Sequence, residues 1–161
     1  MADSDKTVSD SAQNALIDLT NAPNGVAKPE DFAPRLADPN PRVVMFAALC
    51  LAMLKDNRAV PVLLKLVASD DQTVRLDAVK GLGESGDPSV LPTLRQTLKD
   101  SDLNMRGWSI IGLGNLKDED SLLDLEGIAS DDTQPSTIRA AAAAAVEKIK
   151  RSLPPVDTTS P

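Results

Sequence analysis

The feature that most constrains this chain is an internal repeat of 31 residues. Leu51, Leu82 and Leu113 form one column at that spacing, and Leu63, Leu94 and Leu125 form another. Val43, Val74 and Met105 give a third, and Val60, Leu91 and Leu122 a fourth. Asp56, Asp87 and Asp118 recur at the same interval, as do Pro61 and Pro92, with Leu123 in the third copy. Small residues repeat too: Ala47, Ala78 and Ser109, then Cys50, Gly81 and Gly112. A period of this length marks stacked supersecondary units, each too small to bury its own apolar face.

Within a unit the spacing is helical. Val43, Ala47, Cys50, Leu51 and Leu54 make one stripe, a short polar break follows, and Val60, Leu63, Leu64 and Val67 make a second. Each unit therefore reads as helix, turn, helix. No segment alternates with period two, so no sheet is expected. Asn40-Pro41 and Asp87-Pro88 place a capping side chain before a proline. Ser69-Asp70-Asp71 and Asp100-Ser101-Asp102 set acids at helix starts, where the dipole favours them.

The pattern extends both ways. Phe32 and Leu36 precede Leu63 and Val67 by 31, so Pro29 to Ala37 reads as the second helix of an earlier unit. Its first helix is expected over Val8 to Thr20. Ile138-Arg139 follows Met105-Arg106 by 33, which implies a two-residue loop insertion before a terminal helix over Thr137 to Arg151. The expected division is a disordered stretch 1–7, a repeat domain 8–151 (units 8–37, 38–68, 69–99, 100–130 and a cap 131–151) and a disordered, proline-containing tail 152–161.

These columns resemble the HEAT-repeat family, in the short-unit form of prokaryotic phycobilisome lyase-type repeats. The resemblance is carried by Asp70-Asp71, Val74-Arg75, Ala78, Gly81-Leu82-Gly83, Gly86-Asp87 and Val90-Leu91-Pro92, and by Asp100, Asp102 and Met105-Arg106 through Leu125. It implies an all-α, right-handed solenoid of four to five helical hairpins. It also implies a structural arginine ladder, here Arg75, Arg106 and Arg139, paired with loop aspartates; the first clear copy has Val44 instead. Fold of this kind says little about function.

Composition removes several chemistries. The 161 residues contain no histidine, so imidazole metal sites and histidine general bases are absent. Cys50 is the only cysteine, so no disulfide framework or cysteine-rich zinc site can form. The net charge of −7 disfavours contact with phosphate backbones, and the outward second-helix positions Val62, Lys65, Thr93, Gln96, Asp124 and Gly127 drift from neutral to acidic. The longest apolar run, Val43 to Leu54, is too short to span a bilayer. The acidic MADSDKTVSD start lacks the apolar core of a signal peptide, and a reducing, cytoplasmic location is expected. Two motifs mimic sites. Gly81-Leu82-Gly83-Glu84-Ser85-Gly86 has dinucleotide-loop spacing but falls at the end of a helix, where packing explains it. Asp100, Asp102 and Asn104 resemble the start of a calcium loop, but Met105 and Ile111 stand where glycine and glutamate are needed.

One surface departs from the pattern. The second copy shows Asp77, Lys80 and Glu84 at the outward positions of its first helix. The first copy shows Phe46, Leu49 and Met53 there, and the third Trp108, Ile111 and Asn115. A helix apolar all round is normally covered. Either residues 1–27 fold over it, or Phe46, Leu49 and Met53, with Trp108 and Ile111, bind a partner protein or a second copy. The function expected is a non-enzymatic scaffold or assembly chaperone without cofactor, metal, nucleic acid or membrane. The family resemblance alone implies the alternative of a bilin lyase-like or accessory subunit acting on phycobiliprotein chromophores.

Overall fold

The structure is a computed structural model that describes residues 27–154. The expected first helix over Val8 to Thr20, the expected disordered stretch 1–7, and the tail from residue 155 onward lie outside the described residues. Every element within them is helical, with no strand. In chain order these are α1 (Pro29–Phe32), a 3-10 turn (Ala33–Ala37), α2 (Pro41–Met53), α3 (Ala59–Leu66), α4 (Gln72–Ser85), a 3-10 turn (Pro88–Val90), α5 (Leu91–Thr97), α6 (Leu103–Asn115), a 3-10 turn (Glu119–Ser121), α7 (Leu122–Ser130) and α8 (Ser136–Ser152). The chain divides into two compact units, one ending at Val90 and one beginning at Leu91.

The starts of α2, α4 and α6 follow cap chemistry. Asn40 accepts from the Arg42 N–H at 3.0 Å, with Pro41 in the first turn of α2. Asp71 accepts from Thr73 and Val74 before α4, and Asp102 from Asn104 at 2.7 Å before α6. The Asp column recurs because each carboxylate receives the amide two residues on: Arg58 for Asp56, Ser89 for Asp87 and Asp120 for Asp118. Helix ends share one device. Lys55, Gly86 and Lys117 all take the left-handed conformation, with φ of 60°, 77° and 56°. After α2 the Asp56 N–H reaches back to the Leu51 carbonyl and Lys55 to Ala52; after α6, Asp118 reaches Leu113 and Lys117 reaches Gly114. These paired bonds satisfy carbonyls the helix leaves open.

In the first unit α2 packs on α1, on α3 and on α4, and α3 packs on α4. Its core holds Phe32, Leu51, Leu63, Val74, Val79 and Leu82, all buried. In the second unit α6 packs on α5 and α8, and α7 on α8. Leu94, Ile110, Leu113, Leu125 and Ile149 are fully buried there. The leucine columns of the repeat are thus the core columns, since equivalent positions of stacked hairpins meet the same kind of neighbour.

The expected helix over Pro29 to Ala37 is corrected. Only Pro29–Phe32 is α-helical, and Ala33–Ala37 continues as a 3-10 turn. Pro34 lacks an N–H and its ring crowds the carbonyl four residues earlier, so the α-helix cannot pass it. The terminal helix also runs one residue further at each end than expected, over Ser136–Ser152. Ser152 therefore belongs to that helix rather than to the tail.

Candidate protein-interaction surface

The outward positions of the first unit lie on α2 and α4. Phe46 is half-buried on α2, and Met53, its last residue, is 60% exposed. Leu49 is half-buried as well. A Cβ built on Gly81 of α4 would lie 3.4 Å from Leu49 Cδ1, so this side chain fills the seam between α2 and α4. Asp77 stands 31 residues after Phe46 and is half-buried. Burial raises its carboxyl above the ordinary range against the opposing pull of Lys80.

In the second unit α6 presents Trp108, half-buried, and Ile111, 37% exposed. Asn115 closes the row by accepting from Lys148 Nζ of α8 at 2.8 Å. On α8 the exposed side includes Ala140 and Ala144. Among the described residues the most exposed large apolar side chain is Leu123 of α7, at 79%, and Leu103 at the start of α6 is also exposed. Neither was singled out as a surface contact from sequence. The signal for Leu123 was present: it replaces the prolines of the Pro61 and Pro92 column, both exposed.

The arginine column holds the chain together differently from the ladder the resemblance implies. Arg75 donates to the Ser69 and Asp70 backbone carbonyls, at 2.6 and 2.9 Å. Arg106 donates to the Gln134 side chain at 2.7 Å, within the two-residue insertion, where the longer loop carries an amide into reach. Arg139 bonds the Asp132 carboxylate. Pairing with a loop carboxylate is therefore seen at Arg139, while Arg75 caps carbonyls and Arg106 meets an amide. A stronger ion pair was missed. Arg95 of α5 grips Asp118 through both Nε and Nη2 and also reaches Asp120 at 2.7 Å. The Asp118 side chain is 3% exposed and also accepts from the Ser121 hydroxyl. Nothing in the spacing marks Arg95, because the other copies have Leu64 and Glu126 at its position.

The two look-alike motifs are absorbed by the helices. Gly81 and Gly83 lie buried in the closing turns of α4, and Gly86 supplies its left-handed cap. Asp100 accepts from the Asp102 amide at 2.8 Å, and Asp102 caps α6. Among the described residues no three Asp, Glu or Cys side chains converge on a cation-sized site. Cys50 is buried, and desolvation pushes its thiol up to about 12. No described helix is long and apolar enough to cross a membrane.

Helical hairpins at a 31-residue interval with repeating core columns define a helical-repeat protein. A family model described as HEAT repeats matches residues 2–79 and 65–147. The chain belongs to the HEAT-repeat family. A search of curated proteins found no match.

Proposed function

We propose that the chain is a non-enzymatic protein-interaction module, acting as a scaffold or assembly chaperone. Membership of a family whose repeats serve protein–protein contact supports this reading, together with the family's habit of building surface rather than pockets. The observation that carries it is the set of large apolar side chains left in solvent: Met53 and Leu64 in the first unit, Leu103, Ile111 and Leu123 in the second. Met and bulky aliphatic residues adapt well to partner surfaces. Phe46 and Trp108 supply the aromatic part of the same proposal. Leu49, half-buried, belongs to the same proposal but not to its test, because a charge there would disrupt the α2–α4 seam. The lone buried Cys50 accords with a reducing, cytoplasmic setting.

The test is affinity capture with mass spectrometry, beside light scattering, on the parent chain and on Met53→Asp and Leu123→Asp. These variants retain the parent's melting curve, and at least one loses its partner or self-association by about tenfold or more, as expected for a contact worth ~1.4 kcal/mol. Undiminished capture by both removes these side chains from the surface. A monodisperse monomer with no reproducible partner removes the interaction reading. The bilin-handling alternative would show itself as a bound-pigment absorbance band after incubation with bilin, which the scaffold reading does not produce.

A further inference from the structure

We draw no further inference here: the strongest candidate, the apolar outer strip of α2 in the first unit that ends in the exposed Met53, carries nothing beyond the proposed function because nothing in the structure shows what covers it.

Discussion

At the residue scale, the side chain with most at stake is Asp118. Burial pushes its carboxyl up, and the hydrogen bonds from Arg95 and Ser121 more than offset that, leaving it below the ordinary carboxylate range. Asp56 is lowered to about 2, chiefly by the side-chain hydrogen bond from Arg58. A carboxylate depressed in the folded state stabilises fully above its unfolded pKa, near ~4, and that stability is lost as pH falls through the folded value. Urea melts are therefore expected to show no loss from these two groups between about pH 5 and 8 and a decline between about 4 and 2. Asp118→Asn should flatten part of that acid slope; an unchanged slope would remove Asp118 from the account. Arg95→Met takes both guanidinium bonds from the buried Asp118 carboxylate, leaving it the Ser121 hydroxyl and the Asp120 amide, and is expected to lower the urea midpoint at pH 7. An unchanged midpoint would make the pair an ordinary surface contact.

At the scale of elements, the glycines of α6 separate two roles that sequence alone leaves mixed. A Cβ on Gly114 would lie 2.8 Å from Ala145 Cβ and 2.9 Å from Ala145 Cα of α8, and backbone cannot yield as a side-chain tip can. A Cβ on Gly107 would meet Ile138 Cδ1 at 3.7 Å, an ordinary contact. Helix propensity favours alanine by up to ~1 kcal/mol at both positions, and overpacking at Gly114 costs about 1–3 kcal/mol. Gly114→Ala is thus expected to destabilise by about 1–2 kcal/mol, while Gly107→Ala stabilises modestly. Equal effects in a thermal melt would show that α6 and α8 are not held at this distance. The same helix ends at Lys117 with φ of 56°. An L residue with a side chain pays roughly 1 kcal/mol there, so Lys117→Gly is expected to raise stability by about 0.5–1 kcal/mol despite the looser unfolded chain. Lys55 is the poorer place for that change, because its ammonium bonds the Glu84 carbonyl across to α4.

At the scale of the whole molecule, each compact unit is a short pile of hairpins. The division at Val90 and Leu91 falls inside the expected unit 69–99. In repeat architectures stability sums over individual repeats and nearest-neighbour interfaces, so a boundary of this kind need not respect the sequence period. Pro29–Ala37 is expected to complete a hairpin whose first helix falls in residues 8–20, outside the described residues, and the family match begins at residue 2. Deleting residues 1–26 is expected to lower the melting temperature by ~4 °C or more, equivalent to about 1 kcal/mol of lost interface. The readout is a calorimetric scan of the two chains, and coincident melts would show that residues 1–26 add nothing to the core.

Much of this protein was legible in its sequence because a stacked repeat writes its packing into one period. Each equivalent leucine meets an equivalent neighbour, so columns at 31 residues named the buried Leu51, Leu82 and Leu113, and Asn40, Asp71 and Asp102 named the caps. What the sequence could not decide depended on distances between helices. How far the α2–α4 seam covers position 49, how closely Gly107 and Gly114 each approach α8, and which cation reaches the buried Asp118 are set by how closely helices approach and by what a long, flexible arginine can span. Those are properties of packed pairs of elements, and a one-dimensional period carries no term for them.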